Sequence, residues 1–223
     1  AFVALALTLP SEGDIAREIG KDIDPLAIYE ARRAFRAVVG QRLGGLLASA
    51  YERMTVSGPY SPDAKSAGHR ALRNVALDLM AASGDTAALA RAEQQYTAAN
   101  NMTDRMAALA TLIQHDTPAR DRALADFHRR FETDSLVIDK WFGLQAMMPG
   151  DGALARVKEL TKHPAFSMSN PNRMRSLIST FAFANPAQFN RPDGAAYDFI
   201  ADAVLELDPR NPQIAARLAT AFR

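Results

Sequence analysis

The sequence predicts an all-α protein, a right-handed superhelix of the α-solenoid kind built from stacked antiparallel helix pairs. Three observations predict it. Six times a residue with a capping side chain stands directly before proline, at Asp24-Pro25, Ser61-Pro62, Thr117-Pro118, Asn170-Pro171, Asn185-Pro186 and Asn211-Pro212. An N-cap with proline at the first helical position marks a helix start, because the N–H that proline lacks has no partner there in any case. After most of these starts, apolar residues recur at i, i+3, i+4 and i+7, the period of one helix face. Runs that alternate with period 2 are short and alanine-rich, which makes poor strands. About a dozen helices on short connections are too many for a simple bundle, and stacked pairs bury their faces best.

In order, the chain begins with the apolar run Phe2-Val3-Ala4-Leu5-Ala6-Leu7. It is far shorter than the ~20 residues that cross a bilayer, and no basic residues precede it as in a signal peptide. The first strong helix runs from Pro25 to about Val39 with Ile28, Ala31, Phe35 and either Val38 or Val39 inward. Gly40 to Gly45 interrupts it, and a second stretch carries Leu43, Leu46, Leu47 and Tyr51. Pro62 starts a helix to Ala82 that Gly84 closes, and Asp85 caps the next, with Ala88, Leu89, Ala92 and Tyr96. Asn101 or Thr103 caps a helix bearing Met106, Leu109 and Ile113; Pro118 starts one that ends near Phe131. Asp134 leads into Val137, Ile138, Trp141 and Phe142, and the segment from Asp151 to Lys162 holds Leu154, Val157 and Leu160. The Asn170-Pro171 helix aligns Met174, Leu177, Ile178 and Phe181 on one face. Two more follow, Ala195 to Leu207 with Tyr197, Ile200 and Leu205, and Pro212 to Phe222 with Ile214 and Leu218.

Composition narrows the function. With 26 basic and 25 acidic residues the formal charge is +1, so no field draws the chain to nucleic acid or an anionic membrane. The absence of cysteine excludes disulfides and thiolate metal sites and fits a reducing compartment, so a cytoplasmic place is expected. None of the four histidines, His69, His115, His128 and His163, has a zinc-helix partner at i+4, and phosphate loops, dinucleotide fingerprints and nucleophile elbows are missing. Catalytic and metal-binding residues are therefore not expected in this chain. Asp134 with Asp139, or Glu30 with Glu52, would make an acid–base pair only if folding joined them, and solvated helix faces are the better reading. Trp141 beside Phe142 sits at core spacing.

The arginines stand out. Arg173 and Arg175 occupy the first turn and a half of a helix, where the positive end of the macrodipole disfavours a cation by roughly 0.3–1 kcal/mol. Local rules are most often broken where a site requires it, and the plain alternative is that both guanidinium groups swing into water or pair with a nearby carboxylate. Gln213 and Arg217 lie four apart on one side of a helix with the same Asn-Pro start. Guanidinium forks match carboxylates bidentately, so such a cluster suits the C-terminal carboxylate or the carbonyls of a short peptide.

Several segments carry a resemblance. The run from Phe2 to Glu12, Asn100-Asn101-Met102-Thr103-Asp104, Asp139-Lys140-Trp141-Phe142, the run from Phe166 to Ile178, and Arg210-Asn211-Pro212-Gln213 resemble the C-terminal domain of bacterial aminopeptidase N, the zinc-dependent alanyl aminopeptidase family. The resemblance implies that residues 1–223 are a single C-terminal helical domain, a fragment of a larger enzyme truncated at both ends. It implies a non-catalytic lid that encloses the active-site cavity and admits short peptides. Zinc belongs to the parent enzyme, with no cofactor in this fragment. The implied partners are the upstream catalytic domain and short peptide substrates. Carried over by motif, Arg175, Gln213 and Arg217 face that cavity, with Arg173 a weaker candidate of structural character. The alternative is a stand-alone α-solenoid adaptor that binds a protein or peptide on its concave face.

Overall fold

The computed structural model describes all residues from Ala1 to Arg223, and they are helical without a strand. The helices are α1 (Phe2–Ala6), α2 (Glu12–Ile19), α3 (Pro25–Arg53), α4 (Ala64–Ala82), α5 (Thr86–Ala98), α6 (Met102–Leu112), α7 (Pro118–Phe131), α8 (Ser135–Ala146) and α9 (Ala153–Leu160). Then come α10 (Pro171–Met174), a π-helical turn (Arg175–Ser179), α11 (Thr180–Ala184), α12 (Pro186–Phe189), α13 (Ala195–Leu207), α14 (Pro212–Ala219) and a short 3-10 turn (Thr220–Phe222). Five of the six proline starts open a helix. Ser61-Pro62 does not, because Asp63 takes the N-cap: its carboxylate accepts from Ser66 N at 2.9 Å and from the Ser61 hydroxyl at 2.7 Å. α2 was not foreseen from the sequence.

The chain forms two compact units, one of Ala1–Ser11 with Glu30–Ala125, the other of Glu12–Tyr29 with Asp126–Arg223. In the first, α5 and α6 pack together, and α4 lies against both. The core there includes Leu77, Leu79, Met80, Ala92, Tyr96, Leu109, Leu112 and Ile113. Each such large side chain contributes about 1.5–3 kcal/mol by leaving water. α3 differs from expectation in two ways. It is one unbroken helix through Gly40–Gly45, and Phe35 (56% exposed), Val38 (46%) and Leu46 (69%) face outward. The buried positions are Ile28, Leu47 and Tyr51, as their spacing suggests, together with Gly40. The cause is close packing at Gly40, where a Cβ would stand 2.1 Å from the Leu79 carbonyl oxygen. A glycine run that weakens an isolated helix here permits contact with α4.

In the second unit α8 is central, packed against α9, α10, the π turn and α11, while α13 pairs with α14. Phe127, Phe142, Phe181 and Phe189 are fully buried with Met174, Leu177 and Ile178. Trp141 and Phe142 meet edge to face at 5.1 Å between centroids, so both are core. On α13 the buried stripe is Ala196, Ile200, Ala203 and Leu207, and Leu205 is 71% exposed. Asn185 does not cap α12; buried, it donates from Nδ2 to the Ala146 and Met148 carbonyls, each at 3.0 Å.

Candidate functional site: a guanidinium groove

Two asparagine-capped helix starts frame the site. Asn170 Oδ1 accepts from the Asn172 and Arg173 amides at 3.0 and 3.2 Å, and Asn211 Oδ1 accepts from Ile214 N at 3.2 Å. Each cap satisfies donors that a helix start leaves unpaired. Between the two starts lies a groove of about 500 Å³ lined by Pro171, Arg175, Ser179, Asn211, Gln213, Ile214 and Arg217. Three of the four candidate residues thus meet on one wall-to-wall span.

Arg175 is the first residue of the π turn. Its Nε donates to the Pro171 carbonyl at 2.9 Å and its Nη2 to Asn172 Oδ1 at 3.1 Å, which curls the exposed side chain over the first helical turn. These acceptors offset the unfavourable helix dipole that made the residue conspicuous. The insertion of a wide turn here was not legible in the sequence, and π turns of this kind are frequent at functional sites. The Thr180 hydroxyl donates to the Arg175 carbonyl at 3.2 Å within it. Gln213 and Arg217 are exposed on α14, and the Arg217 guanidinium has no partner in the chain. Two cations and two amides line the groove without a carboxylate, which suits an anionic or carbonyl-rich ligand.

Arg173 does not join them. It is 5% exposed and already engaged: Nε donates to Asp139 Oδ1 at 2.6 Å, Nη1 to the Ala165 carbonyl, and Nη2 to the Ser135 carbonyl and hydroxyl at 3.2 and 3.3 Å. The guanidinium also lies over the Phe142 ring at 5.2 Å. Its place is a strut that fixes the start of α10 against α8. The strut extends to His163, whose Nδ1 accepts from Ala165 N at 3.1 Å while its ring packs on Trp141, Phe142 and His128. Burial, then the neighbouring His128 and Arg173, hold the His163 pKa below its ordinary value.

Asp139 is therefore a structural partner, and Asp134 caps α8, accepting from Leu136 N and Val137 N at 3.1 and 3.2 Å. Glu52 lies 4.0 Å from Arg91. No group of three or more histidine and acidic residues converges so as to hold a metal ion, so the residues present do not fit a catalytic zinc.

Helices packed pairwise in series give an all-α, helical-repeat architecture that carries a cationic groove. The chain belongs to the family described as "Domain of unknown function (DUF3458_C) ARM repeats", which matches residues 1–223. Among its relatives it is 44% identical over 218 residues to aminopeptidase N of Caulobacter vibrioides, covering 98% of this chain and 25% of that protein. The aminopeptidase N of Escherichia coli is 39% identical over 218 residues, again 98% of this chain and 25% of the relative. The crystal structure of Legionella pneumophila aminopeptidase A in complex with aspartic acid superposes with a TM-score of 0.88 at 29% identity, covering 98% of this chain and 26% of that one. The chain spans about a quarter of the length of the curated relatives it matches.

Proposed function

We propose that this chain is the non-catalytic domain of a cytoplasmic zinc aminopeptidase, which removes N-terminal residues from peptides, and that it serves as the lid of the active-site cavity. In this reading Arg175, Gln213 and Arg217 hold the C-terminal carboxylate or the carbonyls of a short peptide whose N-terminus reaches the catalytic domain of the same polypeptide. The observation that carries it is the meeting of these three side chains in one groove between two Asn-Pro helix starts. The likeness to aminopeptidases along 98% of this chain supports it. The zinc and the hydrolytic step belong to the part of the parent outside this chain. The groove's contribution is position: a clamp remote from the scissile bond binds ground and transition states alike, and so acts on KM.

The test is steady-state kinetics of the whole aminopeptidase bearing Arg175→Ala. A lost charge-assisted hydrogen bond raises KM for short peptides by about 10-fold with a smaller change in kcat. KM unchanged across peptide lengths contradicts the role.

A further inference from the structure

The first unit contains a second cavity, of about 320 Å³, with Leu7, Leu9, Val75 and Leu79 among its apolar walls and Arg32, Arg36 and Asp78 supplying charge. That size lies at the lower end of small-ligand pockets, and an apolar enclosure with a few converging polar groups is their usual character. Arg32 donates from Nε to the Pro10 carbonyl at 2.9 Å, which ties down the segment that forms the Leu7–Leu9 wall. Arg36 is the informative residue. Its side chain is only 22% exposed, yet its one hydrogen bond runs from Nη2 to Asp78 Oδ1 at 2.6 Å.

A guanidinium has five donors, and a mostly buried one normally finds acceptors for them. The spare nitrogens of Arg36 are not sealed in the core as Arg73 Nε is, and Arg36 is one of the residues that line the cavity. The lining holds two arginines and one aspartate. We propose that this cavity binds a small apolar carboxylate, with the Arg36 guanidinium receiving the carboxylate and the leucine and valine walls receiving the hydrocarbon. The site is separate from the groove in the second unit and does not depend on how that groove is read.

The experiment is an NMR titration of the 223-residue chain with hexanoate and, in parallel, with hexanol, which shares the hydrocarbon and lacks the charge. Hexanoate is expected to shift the amides of residues 7–9, 75–79 and 107–111 saturably, with hexanol at least about 10-fold weaker. Arg36→Met is expected to weaken hexanoate by at least about 10-fold. Ala110→Leu keeps both arginines, fills the cavity and is expected to weaken hexanoate and hexanol together. The proposal is overturned if hexanoate produces no saturable shift up to its solubility limit, or if hexanol binds as tightly. It is also overturned if the variants bind as the parent chain does. Should Arg36→Met fail to fold, Ala110→Leu and the hexanol comparison still decide.

Discussion

At the scale of single residues, two arginines two positions apart have opposite fates, and burial decides which. Arg173 is enclosed and saturated by Asp139, Ser135 and Ala165, whereas Arg175 curls over exposed backbone toward the groove. Removing the partner of an enclosed ion pair leaves an uncompensated charge, so Asp139→Ala is expected to cost about 3 kcal/mol in urea denaturation. Arg175→Ala is expected to change stability by less than about 0.5 kcal/mol in the same measurement. His163 and His115 give a pH dependence of defined sign. Burial lowers both folded pKa values. Above the ordinary histidine value of about 6.5 both states are neutral and nothing is lost. As pH falls below it, the unfolded chain takes up protons that the folded chain refuses, so stability declines until the folded values are reached. The melting temperature is expected to fall between about pH 7 and pH 5, and less steeply in a His115→Gln/His163→Gln variant. A profile as steep in the variant assigns the drop to other groups.

At the scale of elements, the sequence spoke clearly wherever a cap or a buried stripe acts locally. Asp85, Asn101, Asp134, Asn170 and Asn211 all cap as their side chains suggest. Leu154, Val157 and Leu160 line the buried side of α9 as their spacing requires. It misled where a partner element decides the outcome. The α3 glycines read as a break, but the close approach of Leu79 makes Gly40 a packing position and turns Phe35 outward. The π turn at Arg175 has no local signature, since the same apolar spacing serves an ordinary helix. Of the candidate residues that meet in the groove, only Arg175 was visible as an arginine in the wrong part of a helix. Arg217 lies in the last turn of α14, where a cation is favoured, and the meeting of the π turn with α14 depends on tertiary placement. Glycine chemistry on α3 is open to a paired test. Gly44 has nothing within 4 Å of an added Cβ, so Gly44→Ala is expected to stabilise by about 0.5–1 kcal/mol. Gly40→Ala is expected to destabilise by about 1–3 kcal/mol, because the Leu79 backbone must move. Equal effects of the two in thermal melts would contradict the close contact.

At the scale of the whole molecule, a near-neutral formal charge provides no strong long-range field, so the proposed recognition is a matter of local guanidinium groups. No helix is long and apolar enough to cross a membrane. The chain matches a quarter of an aminopeptidase, and in the proposed reading its groove holds peptide at a distance from the reacting bond. A clamp that takes the C-terminus of the peptide discriminates its free carboxylate from an amide. The most direct measurement compares KM for trialanine and for its C-terminal amide, using the whole aminopeptidase and its Arg175→Ala/Arg217→Ala variant. The unaltered enzyme is expected to favour the free acid in KM by about 10-fold, and the double variant to treat both alike with kcat little changed. Equal KM for acid and amide in the unaltered enzyme, or a preference that survives loss of both guanidinium groups, would contradict a carboxylate clamp in this domain.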